Sequence, residues 1–211
     1  MLPITYGNIL AVFFKSNDLE ILQGAQWYFN AQSAALIMSE RYRVSLEICA
    51  GVISALSPNN KWERNLIDAD ALIRAYSVGG IDHAGTIKVA TYNANKNKAL
   101  LILEGERSLD ILGGLKVRAF YDCILGGDSV CIDGHAYATW KGERIPTTRT
   151  PSITPKVYAA ISEDYRQTAV AVNNILRAEY SAAQIQAITW TVWKRLVKWL
   201  LQSTRLKLCT L

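Results

Sequence analysis

The stretch of this chain best suited to chemistry is Val130-Cys131-Ile132-Asp133-Gly134-His135. Apolar residues before the acid favour burial, and the small polar pair after it favours a helix start. There, backbone N–H groups can hold a carboxylate in its ionised form. A carboxylate so held can stabilise positive charge at a sugar carbon or activate a water, which makes Asp133 the candidate catalytic residue. A plain helix cap is the other use of an aspartate at this place. His135 suits capping or packing better than acid–base work. Some twenty residues upstream, the run Leu112-Gly113-Gly114-Leu115-Lys116-Val117-Arg118 reads as a short helix, a glycine hairpin and a second helix. Glycines let the backbone come close to a ligand, and N–H groups at the start of the second helix face an anion. Gly113, Gly114 and Leu115 thus form a candidate phosphate grip.

Other candidates are less specific. Asn59, Asn60 and Lys61 follow Ser57-Pro58 at a predicted helix start, where they suit a phosphate, an extruded base, or only a turn and cap. Gln26, Trp27 and Tyr28 offer aromatic faces on which a base could stack, although such a stripe is more often core, as Trp62 is expected to be. In the last helix Trp190 and Trp193, three apart, read as packing between lobes. Lys194, Arg195 and Lys198 form a basic edge, and Lys141, Arg144 and Arg149 lie in a loop, both as phosphate contacts.

The elements that must position these residues are helical almost throughout. Asn17 or Asp18 can cap one helix running through Leu22, Ala25, Trp27, Ala35 and Met38. Ser45 caps a second, ended by Pro58. Asn59 or Asn60 starts a third, stopped by Gly79-Gly80, with a loop over 82–86 and a helix over 95–103 after it. Ser108 caps one turn before the hairpin, and the hairpin's second helix covers 115–125. A loop over 142–154 precedes helices over 155–161, 163–178 and, from the capping box Ser181-Ala-Ala-Gln184, about 182–202. Only 129–132 is strand-like. The fold class is all-α, in two lobes: about 40–130, and about 1–39 with 131–211.

Composition narrows the functions. No apolar run is long enough for a membrane helix, and Met1 to Leu10 lacks a basic leader, so a cytoplasmic protein without membrane contact is expected. Cys49, Cys123, Cys131 and Cys209 form no C-x-x-C pair, and His83 and His135 are the only histidines. Neither a metal site nor an iron–sulfur cluster is expected. Charge is uneven: residues 1–110 hold 10 Lys/Arg and 11 Asp/Glu, residues 111–211 hold 13 and 7. A basic half suits a polyanion, or only a solvated surface. With no heptads to build a coiled coil, a monomer is expected.

Taken in order, these residues resemble the helix-hairpin-helix DNA glycosylase superfamily. Leu112-Gly113-Gly114-Leu115 is similar to its L-P-G-[VI]-G hairpin, with Gly113 for the proline and Lys116 for the second glycine. Ile132-Asp133-Gly134-His135 is similar to its V-D-T-H-like acid segment, with Gly134 for threonine. Gly51 to Lys61 lies where the superfamily has L-L-S-A-Q. The likeness covers roughly residues 45–140. Ser57-Pro58 to Trp62 and Asn65 also resembles an S-P-x-x-x-W-x-x-N pattern of small phage-encoded members. The resemblance implies a bacterial or phage-infected host cell and a two-lobed glycosylase-like fold on double-stranded DNA. A base is flipped between the lobes and Asp133 assists hydrolysis of its N-glycosidic bond. It implies DNA contacts by Gly113, Gly114, Leu115, Arg118, Asn59, Asn60, Lys61 and His135, with Trp27 and Tyr28 near the base. A structural monovalent cation at the hairpin is also within the resemblance. Lys116, seventeen positions before Asp133, is the candidate amine of a strand-nicking enzyme. Aligned without a deletion, Arg118 takes that position, and a guanidinium is no nucleophile at neutral pH. Two other readings stay open: a phage transferase of the same fold that modifies bases, and a non-catalytic DNA-binding protein.

Overall fold

A computed structural model describes residues 6–208, with side chains described from 6 to 197. Among the described residues there are helices and connecting turns and no strand. The all-α expectation holds. In order, the helices are α1 (Gly7–Phe13), α2 (Asp18–Ala25), α3 (Trp27–Tyr42), α4 (Leu46–Leu56), α5 (Trp62–Thr86), α6 (Asn93–Leu103), α7 (Ser108–Ile111), α8 (Leu115–Ile124), α9 (Gly134–Lys141), α10 (Pro155–Leu176) and α11 (Ala182–Leu208). A 3₁₀ turn, Thr147–Arg149, precedes α10.

The chain divides into two compact units, 28–127 and 1–27 with 128–211. The lobes were expected to part near residues 39 and 130; the units part inside α3, after Trp27, and after Gly127. The 28–127 unit closes on one core, with Ile53, Leu56, Leu72, Ile73, Ile102, Leu103, Leu112 and Ile124 fully enclosed. Its central helix is α4, buried at every position from Cys49 to Leu56, as a helix surrounded by others must be. Gly51 lets α7 approach, because a Cβ there would fall on the Ser108 side chain. The other unit packs Ile9, Phe13, Ile132, Ile161, Tyr165, Ile185 and Ile188 around α10 and α11. Gly24 permits the crossing of α2 over α11, since a Cβ there would fall on the Ile188 backbone.

Caps form where side chains can reach free N–H groups. Asn17 and Glu20 make a reciprocal capping box at α2, and Ser181 and Gln184 another at α11. Ser45 caps α4, and Thr154 caps α10 with Pro155 at its first position.

Several expectations change. The first long helix is two: α2 ends at Gln26, whose N–H returns to the Leu22 carbonyl, and α3 begins at once. Lys61 stands at the α5 cap position rather than Asn59 or Asn60, because Asn59 is spent on a left-handed turn at φ 57°. Gly79 and Gly80 do interrupt α5, but helix resumes over the expected loop at 82–86. There Ala84 is buried and the Gly85 carbonyl accepts from Lys96 Nζ at 2.6 Å. Ser108 lies inside the first turn of α7, with Arg107 at the cap position. The break expected at residue 162 is absent. Ile161, Tyr165, Thr168 and Val172 bury one continuous face of α10, and that burial outweighs the local serine. The α11 helix runs past the expected end at 202, to Leu208.

Candidate active site

Asp133 is the N-cap of α9. Its Oδ1 accepts the Ala136 N–H at 2.8 Å, so one oxygen is fixed by the helix it begins. The other oxygen, Oδ2, accepts Trp190 Nε1–H at 3.1 Å from α11. The two donors hold the carboxyl plane from two elements, and the group is half-buried.

The segment leading to Asp133 is held in the same way from α10. Tyr158 Oη donates to the Val130 carbonyl at 2.7 Å and accepts the Ile132 N–H at 3.1 Å. One phenol thus does for residues 130–132 what a neighbouring strand would do, and this extended piece needs no sheet. Beneath α9, the fully buried Tyr165 reaches the Ala136 carbonyl at 3.4 Å. Burial pushes its phenol far above the ordinary value, and the nearby Asp133 charge adds to the rise.

Around Trp190 lies an aromatic cluster in the same unit. Trp27 sits with its ring centroid 5.5 Å away, tilted by 47°. His135 is edge-on at 6.3 Å. Lys194, one turn further along α11, places Nζ 3.8 Å from the Trp190 ring centroid, a cation–π contact. Trp190 and Trp193, read as packing between lobes, both make contacts within this unit. Trp193 is buried with Val12, Ala138 and Val192, and Trp190 binds the carboxylate.

Arg195 is also corrected as a phosphate contact. Its Nε donates to Glu20 Oε1 at 2.6 Å and its Nη2 to Oε2 at 3.0 Å, with Nη2 also on the Lys15 carbonyl at 2.7 Å. The guanidinium beside Glu20 holds that carboxyl below its ordinary value, against the opposing effect of burial. The Lys198 side chain lies outside the described residues.

Gly134 has a physical reason: a Cβ there would come 2.8 Å from Thr150 Oγ1. The turn Thr147–Arg149 therefore folds over the start of α9, and it carries Arg149 exposed. Lys141 lies over Trp140 at 5.3 Å, and Arg144 is exposed.

The hairpin lies in the other unit. Leu112 is buried and closes α7; Gly113 and Gly114 are exposed; Gly114 adopts φ 78°, open to glycine at little cost, and begins α8 without a side-chain cap. Leu115, Lys116 and Arg118 are exposed on the first turns of α8. Arg118 does not simply point outward: its Nε donates to the Leu112 carbonyl at 2.8 Å, tying α8 back across the hairpin. The Leu112 carbonyl, one of the oxygens that a monovalent cation at the hairpin could use, is thus already taken by a charged donor. Lys98 also approaches, with Nζ 3.2 Å from where a Gly113 Cβ would stand. Its sequence position on α6 carried no signal.

Of the α5 group, Asn60 Nδ2 donates to Asp68 Oδ2 at 3.3 Å, Lys61 is exposed, and Asn65 Nδ2 ties α5 to the Ile53 carbonyl at 3.0 Å. Trp62 is half-buried against the core, edge-on to Phe120 at 6.2 Å. Tyr28 lies 6.4 Å from Phe120, and so in a different unit from Trp27. Asp133, His135 and Trp27 are thus brought together with Trp190 and Lys194. Lys116, Arg118, the hairpin glycines and Asn59 to Lys61 belong to the other unit.

Cys49, Cys123 and Cys131 are buried and form no disulfide, and burial pushes Cys49 up to about 12; Cys209 lies outside the described residues. Among the described residues no three His, Cys, Asp or Glu side chains gather as a metal site would need, and no helix is long and apolar enough to cross a membrane.

A family model described as a family of unknown function (DUF7178) matches residues 4–196, a span that includes every candidate named above. No curated protein and no solved structure matches the chain.

Proposed function

The chain belongs to the DUF7178 family, of unknown function, and from its site we propose a DNA glycosylase that hydrolyses the N-glycosidic bond of an everted base in double-stranded DNA, with Asp133 as the catalytic carboxylate. The observation that carries this reading is the double hold on Asp133, by Ala136 N–H and Trp190 Nε1–H. A carboxylate fixed in this way is held in place from two elements, and can stabilise an oxocarbenium-like sugar as it forms. The C1′–N bond breaks with its electron pair leaving on the base. Water adds at C1′ and releases a proton to the departing base or to solvent. The hairpin at Gly113–Gly114, with Lys98, Lys116 and Arg118 near it, is the phosphate grip of the same reading. The protein acts as a monomer in the cytoplasm, with no bound cofactor, on damaged or modified bases.

Duplexes carrying single candidate bases test the proposal, with abasic sites revealed by alkaline cleavage. The native chain is expected to excise at least one base, and Asp133→Asn to lose at least a hundredfold in rate. Full activity in Asp133→Asn would overturn the mechanism. Lys116 is proposed as the amine if strands are also nicked, and borohydride trapping lost in Lys116→Ala would identify it. Modified nucleosides in treated DNA, without abasic sites, would instead support the transferase reading.

A further inference from the structure

The 28–127 unit carries a groove that the proposed excision does not use. Helices α3 and α5 each turn one face to the core, through Ala35 and Met38 on the first and Leu72 and Ile73 on the second. Between them lies a trough of about 420 Å³, walled by Ile37 and Met38 from α3 and by Leu66 and Ile67 from α5. That volume is within the range of sites that take small organic ligands. Ile37 is 53% exposed and Ile67 60%, so the trough keeps two large aliphatic side chains in water. Its charged residues follow the aliphatic ones on the same helix faces: Arg41 stands four positions after Ile37, and Asp70 and Arg74 three and seven after Ile67. Arg41 Nη1 lies 3.7 Å from Asp70 Oδ1, an oxygen that already accepts the Tyr42 hydroxyl at 2.9 Å. With Arg41 exposed, that is a loose pair. Arg74 forms no ion pair among the described residues. Two guanidiniums thus share one carboxylate, and a positive charge is left over at the end of an aliphatic trough.

We propose that this groove binds an aliphatic carboxylate, its alkyl chain along Ile37, Met38, Leu66 and Ile67 and its head on Arg41 and Arg74. The chain takes the exposed isoleucine surface out of water. The head meets the unbalanced charge, and the planar fork of a guanidinium matches a carboxylate with two parallel hydrogen bonds. Each half alone is weak. A short carboxylate meets only exposed arginines, which water and salt screen. A cationic amphiphile fills the trough but places like charge beside Arg41 and Arg74. Asp133 belongs to the other unit, so this is a second site with its own ligand.

Met1 and Met38 are the chain's two methionines, so isotope labelling of methionine methyl groups gives the groove its own resonance, assigned by its loss in Met38→Leu. The full chain is titrated with decanoate below its micelle concentration, with butyrate, and with decyltrimethylammonium. The expected result is a saturable shift of the Met38 signal with decanoate, at least tenfold tighter than with either of the other two. The double variant Arg41→Gln, Arg74→Gln is expected to bind decanoate at least tenfold more weakly, at the native Tm because both guanidiniums are exposed. Arg74→Gln alone, with no ion pair to lose, should weaken it threefold or more. A Met38 signal that decanoate does not move would overturn the inference. So would equal affinity for decanoate and decyltrimethylammonium, or native affinity in the folded arginine variants. A Met38 shift that depends on protein concentration without ligand, and is lost in Ile67→Asp, would show a second copy of the chain on the groove and overturn it as well. None of these outcomes bears on Asp133, so the groove and the excision reading stand or fall separately.

Discussion

At the scale of single residues, capping and chemistry meet in Asp133 and can be separated. Asparagine caps a helix about as well as aspartate, so Asp133→Asn should keep the Ala136 N–H bond while removing the charge, and should cost about 1.5–3 kcal/mol of stability because its Nδ2 cannot accept the Trp190 N–H. Trp190→Phe is the complementary change. It keeps an aromatic ring against Trp27 but deletes the donor to Oδ2. A hydrogen bond to a charged acceptor contributes about 1.5–3 kcal/mol. On the proposed mechanism, excision by Trp190→Phe should fall about tenfold to a hundredfold, with α9 still folded by circular dichroism. Unchanged excision would make Trp190 a packing residue only. The part of this that the sequence made legible is local. Asp133 reads as a helix start because the cap bond spans three positions, and Trp190 and Lys194 read as neighbours because they stand four apart. The bond from Trp190 to Asp133 spans 57 positions and has no local signature. Tyr158, which holds residues 130 and 132 from α10, was invisible for the same reason.

At the scale of elements, glycines divide into those that a crossing requires and those it does not. Gly24 lies where α2 meets α11, and its Cβ would strike backbone, which cannot step aside. Gly24→Ala should therefore destabilise by about 1–3 kcal/mol, read as a lower Tm. Gly85, in helical backbone with open space around it, is the control: Gly85→Ala should stabilise by about 0.4–1 kcal/mol. The reverse order would mean that α2 does not seat on α11 as described. The hairpin is the second element with a consequence. On the proposed reading, with Arg118 on the Leu112 carbonyl, DNA affinity should fall in Arg118→Ala and not return in Arg118→Lys, because a single ammonium lacks the guanidinium's several directed donors. Exchanging potassium for lithium at constant ionic strength should leave the native affinity unchanged. A strong dependence on the cation's identity would put a metal ion, not Arg118, at that oxygen. The hairpin itself was legible from Gly113-Gly114. Its arginine tie was not, because position 118 reads equally as a surface charge.

At the scale of the whole chain, the helical class was legible because caps, prolines and apolar spacing agree along most of its length. What local signals missed were continuities set by burial, as in α10, where a buried face overrides a polar residue near its middle. The grouping of residues 1–27 with 128–211 is the largest non-local fact, and one ion pair tests it. Glu20 on α2 and Arg195 on α11, 175 positions apart, form a two-pronged pair in which Glu20 is only 7% exposed. The folded state lowers the Glu20 pKa below its ordinary 4.5, chiefly through the Arg195 hydrogen bonds. A depressed carboxylate binds its proton less readily folded than unfolded. Its contribution to stability is therefore complete above pH 4.5 and is lost as pH falls through the lower, folded value. The native Tm should decline across that acid window. Glu20→Gln should start lower at neutral pH and decline less steeply below pH 4.5, because it has no proton to take up. If the two profiles stay parallel from neutral pH to the acid end, the pair does not join the two ends of the chain in solution, and the packing of α2 on α11 must rest on its other contacts, Gly24 against Ile188 and Gln184 on the Ala25 carbonyl among them.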